Sequence, residues 1–395
     1  MRVAIIGQGY VGLTIAVGAA GAGHIVVGFD VNADLVVSLN TGVSHIEGIS
    51  GTELNTFTGS GAYKATTDPA ALDGADVVVI AVPTPLDAAR NPDLSYVHAA
   101  ADLIAQHVKS PTLIVNESTS YPGTLRKEIA ARITGVDHLY ASSPERVDPG
   151  NAQWGTKNTP RLIGGLTPAA VAKAKEFYGS FCDVIIEVSS PEVAEAAKIF
   201  ENTFRQVNIA LVNEFAQITD ALGISGREVI SAAATKPYGF MEFKPGAGVG
   251  GHCIPVDPSY LAHVANEVGV PATFIKRANE VNLAMPAYVV KRVIAGNGGS
   301  ISGKSVVVVG VSYKPNVADT RETPAAAVID VLRQNSARVT WHDELVGSWR
   351  GETSAPINGD IAVVVTRHDG VDLAALQSCS YVFDCTGTIA GVDGI

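Results

Sequence analysis

One cysteine stands in a loop whose composition suits a covalent nucleophile. Cys253 lies four residues before Asp257, and glycines and prolines surround it in the stretch Gly250-Gly251-His252-Cys253-Ile254-Pro255-Val256-Asp257-Pro258. Glycines let a backbone approach a ligand closely, and prolines stiffen a loop. A free cysteine can instead be a small buried hydrophobe that packs and does not react. The loop alone leaves both interpretations open, and the rest of the sequence must separate them.

Polar residues at helical spacing form a second candidate cluster. Lys198 and Asn202 are four residues apart and so share one helix face, with Glu195 and Arg205 on the same side. A cation and an amide stacked in this way suit an oxyanion that develops from a carbonyl. The same spacing is also typical of an exposed, salt-bridged helix face.

A glycine-rich turn near the N-terminus predicts a dinucleotide site. The stretch Gly7–Gly12 reads G-Q-G-Y-V-G, follows a short apolar run and opens a helical segment. Asp30 ends the next strand, where a carboxylate accepts hydrogen bonds from ribose hydroxyls and repels a 2′-phosphate, so we expect NAD and not NADP. The predicted cofactor contacts in these turns and in the later turn Val82–Pro85 are Gly7, Gly9, Tyr10, Val11, Gly12, Asp30, Pro83 and Thr84.

Two series of short apolar runs must position these residues. The first comprises residues 2–6, 24–30, 76–82, 112–116 and 138–142, and the second 305–310, 339–343, 360–366 and 381–384. Such runs alternating with helical stretches indicate parallel sheets covered by helices. We therefore predict an α/β protein with two Rossmann-like, doubly wound parallel-sheet domains joined by a long central helix and a helical middle domain.

The central helix is predicted from its uninterrupted length. Ser189 or Ser190 can cap it, and no glycine or proline follows Pro191 until Gly223. Its apolar stripe consists of Val193, Ala197, Phe200, Phe204, Val207, Leu211, Phe215, Ile218 and Leu222. So long a stripe predicts a homodimer through the helix over 190–222. The domain boundaries that follow are 1–189 for the cofactor, 190–298 for the helical domain and 299–395 for the last α/β domain.

Composition narrows the class of protein. Of 395 residues, 47% are hydrophobic and 17% charged, which is typical of a globular chain, and no apolar run is long enough to span a membrane. The net charge of -11 disfavours nucleic-acid binding. The four cysteines, Cys182, Cys253, Cys379 and Cys385, show no metal-ligand spacing, so we expect neither a metal nor a disulfide framework. The absence of a signal-like N-terminus predicts a cytoplasmic protein.

Seven motifs, in order, resemble those of the nucleotide-sugar 6-dehydrogenase family, whose best-known members oxidise UDP-glucose or GDP-mannose. They are G-x-G-Y-V-G at 7–12, V-P-T-P at 82–85, E-S-T-S-Y-P-G-T at 117–124, S-P-E-R-V-D-P-G-N at 143–151, K-I-F-E-N-T-F-R at 198–205, G-V-G-G-H-C-I-P-V-D-P at 248–258 and Y-K-P-N-V-A-D-T-R-E at 313–322. The resemblance covers nearly the whole chain. It implies a four-electron oxidation at C6 of a UDP-sugar, in which the aldehyde is captured by Cys253 and a thioester is then hydrolysed.

The same resemblance implies roles for individual residues. Lys198 and Asn202 stabilise the oxyanion, Asp257 orients water or acts with Lys198 as a base, Glu145 assists hydrolysis and Thr119 positions water. The residues implied to bind the substrate, beside Glu145, Lys198 and Asn202, are Arg146, Lys236, Phe240, Gly248, Gly250, Lys314 and Arg321. From the sequence alone, Lys314 and Arg321 could equally be solvated surface charges.

Two positions favour the UDP-N-acetylhexosamine branch of the family. The UDP-glucose enzymes typically read G-G-S-C-F-x-K-D at the cysteine, whereas this chain has His252 and Val256. Other departures from the family pattern are Leu35 in place of a basic residue, Thr386 in place of an arginine, and Pro149 in place of a glutamate. The alternatives that remain are a UDP-glucose or GDP-mannose dehydrogenase, a two-electron hydroxyacid dehydrogenase, and a non-catalytic regulator that binds NAD or a nucleotide sugar.

Overall fold

The computed structural model describes residues 1–46, 48–148, 151, 153–251 and 253–395. These residues form two compact units. The first contains Met1–Glu201 and Ser259–Val268, and the second contains Asn202–Pro258 and Gly269–Ile395. This division into two does not test the predicted boundaries after residues 189 and 298, which stay predictions.

An eight-stranded sheet forms the centre of the first unit. Its strands are β1 (Arg2–Ile6), β2 (Ile25–Phe29), β3 (Tyr63–Thr66), β4 (Val77–Ile80), β5 (Leu113–Asn116), β6 (Leu139–Ser142), β7 (Arg161–Gly165) and β8 (Ile185–Glu187). Their order is β3-β2-β1-β4-β5-β6-β7-β8, and every neighbouring pair is parallel except β6 with β7. The five strands predicted for this region are confirmed, and β3, β7 and β8 are additional.

Helices cover this sheet and explain its apolar strands. They are α1 (Tyr10–Gly21), α2 (Ala33–Asn40), α3 (Gly51–Ser60), α4 (Ser95–His107) and α5 (Pro168–Tyr178). All four residues of β4 are completely buried, as expected for a parallel strand covered on both faces. Helix α2 begins where the Asn32 side chain accepts hydrogen bonds from two backbone N–H groups, and α5 begins at a Thr-Pro pair.

The predicted central helix is confirmed as α6 (Pro191–Leu222), which is 32 residues long. Its two faces differ in an unexpected way. Glu195 and Lys198 are only 1% and 9% exposed, so the interpretation of a solvated salt-bridged face is wrong at these two positions, whereas Arg205 on the same side is exposed. Several residues of the apolar stripe are instead exposed in the single chain, namely Val193, Phe200, Phe204, Leu211, Ile218 and Leu222.

The second unit contains the predicted second parallel sheet. Its elements are α7 (Gly226–Ala234), α8 (Asp257–Glu267, which continues into the first unit), α9 (Thr273–Gly296), β9 (Ser305–Val309), α10 (Pro324–Gln334), β10 (Arg338–His342), β11 (Ser348–Trp349), β12 (Glu352–Thr353), β13 (Ile361–Val364), α11 (Leu373–Gln377), β14 (Tyr381–Asp384) and β15 (Asp393–Gly394). The five-stranded sheet has the order β10-β9-β13-β14-β15 and is parallel throughout, while β11 and β12 pair antiparallel.

The fold class predicted from the sequence is thus confirmed: two sheets covered by helices, the first parallel except where β6 meets β7 and the second parallel throughout, with a long helix between them in the chain. In the described part of the chain, no helix is both long and apolar enough to cross a membrane.

Candidate active site

The three glycines of the turn after β1 are needed for different structural reasons. Gly7 has a φ of +92°, and a Cβ there would lie 2.4 Å from the Ala81 carbonyl oxygen. A Cβ on Gly12 would lie 1.9 Å from the Gly7 carbonyl oxygen, so both glycines are required by the turn itself. A Cβ on Gly9 would meet no described atom within 4 Å. The space beside Gly9, at the N-terminus of α1, fits the approach of a dinucleotide pyrophosphate.

Asp30 lies where a carboxylate can contact both this turn and a ribose. It follows β2, is half-buried, and accepts hydrogen bonds from the backbone N–H groups of Gln8 at 2.8 Å and Asn32 at 2.9 Å. The carboxylate is therefore fixed by the backbone on both sides. This geometry fits NAD, whose adenosine ribose hydroxyls need an acceptor at the end of the second strand.

Gln8 is a residue of the turn that the sequence analysis missed. Its side chain is completely buried, donates to the Ile5 carbonyl oxygen at 3.1 Å and accepts from the Tyr63 hydroxyl at 2.8 Å. Gly28 leaves the necessary room, because a Cβ there would lie 2.4 Å from Gln8 Oε1. The signal was a single amide within an apolar and glycine-rich run, since a buried amide must be hydrogen-bonded.

The remaining predicted cofactor residues lie near the point where the strand order reverses. β1 and β4 are neighbours in the sheet, and ligands bind outside the carboxyl ends of strands at such a reversal. After β4, Pro83 is exposed and Thr84 is buried, and Thr119 is half-buried after β5. Val11 packs against the core of the sheet. Tyr10 lines a cavity of about 440 Å³ together with Thr14, Gly48, Ile49, Val147, Asp148, Asn151, Trp154 and Gly155.

Glu145 is held firmly in the first unit. One of its carboxylate oxygens accepts from the backbone N–H groups of Arg146 and Val147 at 2.7 and 2.9 Å, and the other accepts from the Arg161 guanidinium at 2.8 Å. Burial alone would raise the pKa of Glu145, but the charge of Arg161, the two N–H donors and the charge of Lys198 together lower it. Glu145 is therefore an ionised, oriented carboxylate.

Other charged residues of the first unit have structural partners. Arg146 forms an ion pair with Glu201 at 2.7 Å and donates to the Pro160 carbonyl oxygen at 2.7 Å. Glu195 accepts from the backbone N–H groups of Gly123 and Leu125 at 2.7 and 2.9 Å. Burial raises the pKa of Glu195 to about 7. Lys198 lies buried one turn further along α6.

In the second unit, the cysteine loop leads directly into α8. Cys253 is half-buried and not in a disulfide, and its carbonyl oxygen accepts from the Asp257 backbone N–H at 2.8 Å. Asp257 is completely buried, and one of its carboxylate oxygens accepts from the Asn202 side-chain amide at 2.6 Å. The structure thus brings three of the predicted catalytic residues, Cys253, Asp257 and Asn202, into one local arrangement.

Arg321 supplies positive charge near the thiol. It forms an ion pair with Asp319, in which the arginine Nε lies 3.0 Å from Oδ1 and 2.9 Å from Oδ2 of the carboxylate. The pKa of Arg321 is raised, mainly by the hydrogen bonds to Asp319 and to a smaller extent by the nearby Cys253. A neighbouring cation favours the thiolate form of a cysteine, which is the reactive form.

The glycines of the cysteine loop are needed for packing within their own unit, and the expectation that they also let a ligand approach stays a prediction. A Cβ on Gly250 or Gly251 would lie 2.8 or 2.9 Å from the Tyr313 side chain, and one on Gly248 would lie 3.2 Å from the Asn282 carbonyl oxygen. The Gly251 N–H also donates to the Arg321 carbonyl oxygen at 3.0 Å. The loop is therefore packed against the segment 313–324 of its own unit.

The other predicted substrate contacts are more exposed. Lys236 lies over the Tyr238 ring with its ammonium 5.0 Å from the ring centroid, Phe240 is 42% exposed, and Lys314 is half-buried.

Departures from the family pattern also have local explanations where they are described. Thr386 donates its hydroxyl to Asp384 at 2.6 Å, and Leu35 packs against the core of the first sheet. His252 and Pro149 lie outside the described residues. Among the residues that the structure describes, no group of three or more His, Cys, Asp or Glu side chains could hold a metal ion.

The fold and the turn around Gly9 define an NAD-binding α/β protein, and comparison with known proteins makes the assignment specific. Three models of the UDP-glucose/GDP-mannose dehydrogenase family match in order: the NAD binding domain at residues 1–182, the central domain at 192–284 and the UDP binding domain at 307–390.

Individual relatives match over most of their length. UDP-N-acetyl-D-mannosamine dehydrogenase of Pyrococcus horikoshii is 35% identical, covering 93% of this chain and 90% of its own. UDP-N-acetyl-D-glucosamine 6-dehydrogenase of Pseudomonas aeruginosa is 33% identical, covering 96% and 91%. The solved structure of a UDP-D-ManNAc dehydrogenase from Pyrococcus horikoshii superimposes with a TM-score of 0.90 at 32% identity, covering 100% of this chain and 99% of that one.

The chain belongs to the UDP-glucose/GDP-mannose dehydrogenase family. It is therefore an NAD-dependent oxidoreductase that acts on a nucleotide sugar, and the family resemblance inferred from the seven motifs is confirmed.

Proposed function

We propose that this enzyme oxidises C6 of a UDP-N-acetylhexosamine, UDP-GlcNAc or UDP-ManNAc, to the carboxylate in two two-electron steps. The observation that carries the proposal is the arrangement of Cys253, Asp257 and Asn202 at the start of α8. A two-electron alcohol oxidation needs no cysteine, whereas oxidation of an aldehyde to an acid proceeds readily through a covalent thiohemiacetal. The names of the relatives support the N-acetylated sugar, and so does Val256, a buried apolar residue where the UDP-glucose enzymes typically have lysine.

The proposed mechanism assigns one task to each residue. Bound NAD supplies the hydride acceptor for each oxidation. Cys253 attacks the aldehyde carbon to form the thiohemiacetal, and loss of hydride from that carbon leaves a thioester on the same sulfur. Lys198 and Asn202 donate hydrogen bonds to the developing oxyanion. Asp257 acts with Lys198 as the base that accepts the proton of the alcohol or of water. Glu145, assisted by the hydroxyl of Thr119, orients the water that hydrolyses the thioester.

The proposed substrate contacts are two arginines, two lysines, one aromatic side chain and two backbone N–H groups. Arg146 and Arg321 each keep an ion pair with a carboxylate of the chain, so we propose that they contact the substrate with their remaining N–H groups. Lys236, Phe240 and Lys314, with the backbone N–H groups of Gly248 and Gly250, complete the proposed contacts. A diphosphate needs several such donors, because the net charge of the chain is -11.

Stoichiometry tests the proposal directly. The purified enzyme is incubated with NAD and each of UDP-GlcNAc, UDP-ManNAc, UDP-GalNAc, UDP-glucose and GDP-mannose, and NADH is measured per sugar consumed. We expect two NADH per molecule and the highest kcat/KM with UDP-GlcNAc or UDP-ManNAc. A ratio of one contradicts the thioester mechanism, and a preference for UDP-glucose or GDP-mannose contradicts the substrate assignment.

The cysteine provides the matched control. Cys253→Ala is expected to abolish formation of the acid, while Cys379→Ala, at a buried cysteine of the last sheet's core, is expected to keep the wild-type ratio. If the wild type binds NAD and the sugar but turns neither over, the protein is a regulator and not an enzyme of this type.

We further propose a homodimer through α6. The exposed fraction is 63% for both Phe200 and Leu211 and 68% for Leu222, and so long an apolar stripe on one helix matches itself in a second copy. Light scattering coupled to gel filtration should give twice the mass of the chain. Phe200→Glu with Leu211→Glu should give the monomer, whereas Arg205→Glu, at an exposed position on the polar side of the same helix, should not.

The proposed thiol nucleophile also implies a compartment. A reducing environment keeps Cys253 available, so we propose a cytoplasmic location. Cell fractionation checks this, and recovery of the protein outside the cytoplasmic fraction would contradict it.

A further inference from the structure

Glu117 is a second buried carboxylate of the first unit, and the proposed mechanism does not use it. It directly follows β5, and its side chain is completely buried. Its Oε1 accepts from the Arg161 guanidinium at 2.7 Å and also from the Tyr178 hydroxyl. Its Oε2 is buried with no hydrogen-bond partner among the described residues. Burial of a carboxylate is costly, so this position calls for a physical explanation.

Arg161 connects Glu117 to Glu145. One guanidinium nitrogen donates to Glu117 and to the carbonyl oxygen of Ser143, and the other donates to Glu145 at 2.8 Å. The guanidinium also stacks over the Tyr178 ring, 4.6 Å from its centroid. Because the guanidinium is a rigid planar fork, a change of charge at one carboxylate reaches the other through it.

The buried cluster of Glu117, Glu145 and Arg161 contains two carboxylates that share one guanidinium. Burial raises the pKa of Glu117 to about 7, although Arg161 opposes the shift. The pKa of Glu145 is lowered despite its burial, because it has Arg161, two backbone N–H donors and the charge of Lys198. The other titratable groups against Glu117, Tyr178 and Cys182, have pKa values raised by burial and are neutral near pH 7. Glu117 is therefore the member of the cluster that changes its charge near neutral pH.

We propose that Glu117 is a positioning residue, which acts through Arg161 to set the orientation and basicity of Glu145 during thioester hydrolysis. The inference rests on the proposed function, because it gives Glu145 its task. When Glu117 is ionised, it shares the positive charge of Arg161, and Glu145 is a stronger base. When Glu117 is neutral, Arg161 acts on Glu145 alone, and Glu145 is a weaker base.

The test is Glu117→Gln, which keeps the shape and an acceptor oxygen for Arg161 but removes the charge. Initial rates are measured against pH at saturating NAD and UDP-sugar. We expect the wild-type kcat to rise as the pH increases through about 7, where Glu117 loses its proton, and we expect this rise to be absent in Glu117→Gln. We also expect the plateau kcat to fall about threefold to tenfold, because a weaker base transfers protons more slowly. KM for both substrates should stay within about twofold.

Intact-protein mass spectrometry of acid-quenched steady-state samples gives a second readout. Slower hydrolysis should raise the fraction of chains that carry a covalent sugar adduct. Glu187→Gln is the matched control, because Glu187 is an exposed carboxylate that pairs with Lys175, and its pH profile should be that of the wild type.

Three results would overturn the inference. A Glu117→Gln profile that superimposes on the wild-type profile excludes a link to Glu145. A lower thermal stability with an unchanged profile shows a purely structural role. If Glu117→Gln fails to fold, Tyr178→Phe tests the same link, because loss of the tyrosine hydroxyl destabilises the ionised form of Glu117. An unchanged pH profile in Tyr178→Phe would also contradict the inference. A wild type that yields one NADH per sugar contradicts the proposed function itself, which separates that failure from this one.

Discussion

The first and last parallel sheets are built on the same plan but use it differently. In both, a glycine follows the first strand at a positive φ, Gly7 at +92° and Gly310 at +84°, where a Cβ would strike a carbonyl oxygen beyond the neighbouring strand. In both, an aspartate at the end of the second strand accepts hydrogen bonds from that turn, Asp30 in the first sheet and Asp343 in the last.

The difference is in what surrounds the two aspartates. Asp30 is half-buried beside the open space at Gly9. Asp343 is 4% exposed, accepts from Ser312 and three other backbone N–H groups, and forms an ion pair with His368 at 3.1 Å. In the last sheet, groups of the protein itself surround the aspartate, whereas in the first sheet the space beside the aspartate is left for a dinucleotide. The shared plan indicates the fold, and only the space around it indicates the ligand.

The largest effect should come from removing the buried aspartate. Asp343→Ala leaves several backbone N–H groups and His368 without their acceptor, so we expect a loss of about 3 kcal/mol or more in the free energy of unfolding. Urea denaturation or calorimetry measures it. Asp330→Ala, which removes an exposed ion pair with Arg350, should cost less than about 1 kcal/mol. Equal losses for the two variants would contradict a structural role for Asp343.

Stability should depend on pH with opposite sign at two buried carboxylates. The folded pKa of Glu195 is raised to about 7 by burial, so its contribution is fully present below its unfolded pKa and is lost as the pH rises through 7. The net shift of the Asp343 pKa is downward: burial opposes it, but hydrogen bonds from His368 and backbone N–H groups outweigh burial. Its contribution is therefore present above its unfolded pKa and is lost as the pH falls below that value.

Matched variants separate these two dependences. Relative to Glu195→Gln, the wild type should gain about 2 kcal/mol of unfolding free energy between pH 8 and pH 5. Relative to Asp343→Asn, it should lose stability between about pH 5 and pH 3. Parallel curves for the wild type and either variant would show that the corresponding carboxylate has no shifted pKa.

The next effect concerns the cofactor and should appear only in the first sheet. Asp30→Ala removes the acceptor for the ribose hydroxyls and the charge that repels a 2′-phosphate, so NAD affinity should fall about tenfold, the worth of one charged hydrogen bond. Preference for NAD over NADP should fall with it. Isothermal titration with both cofactors measures this change. An unchanged preference would remove Asp30 from the cofactor site.

The smallest effect should come from Gly9→Ala, because its Cβ enters space that the described protein leaves empty. We expect stability to change by less than about 1 kcal/mol and the Kd for NAD to rise roughly fivefold, which is about 1 kcal/mol. Gly310→Ala, whose Cβ would strike the Thr366 carbonyl oxygen, should destabilise the protein without such selectivity. Wild-type NAD affinity in Gly9→Ala would mean that the pyrophosphate lies elsewhere.

Much of this architecture follows from local sequence patterns. The short apolar runs gave strands where they were expected, because buried parallel strands must be apolar on both faces. The 32 residues between Pro191 and Leu222 formed one helix because nothing within them breaks it. The turn at Gly7 could be recognised because its constraints lie within a few residues of one another. The loop of Cys253 could be singled out in the same way, but the role of Cys253 as a nucleophile stays a proposal.

Only the tertiary structure decided which distant residues lie together and which helix residues are buried. Glu117, Glu145 and Arg161 belong to three separate segments, and only the order of β5, β6 and β7 brings them into one buried cluster. Glu195 and Lys198 on the polar face of α6 proved to be buried, while much of the apolar stripe is exposed. Helical periodicity cannot determine this, because it shows that two faces differ without showing what each one contacts. The sequence by itself therefore determined the elements and the chemistry of single residues. The charge and surroundings of those residues depended on neighbours distant in the chain, because desolvation and ion pairing act through space and not along the sequence.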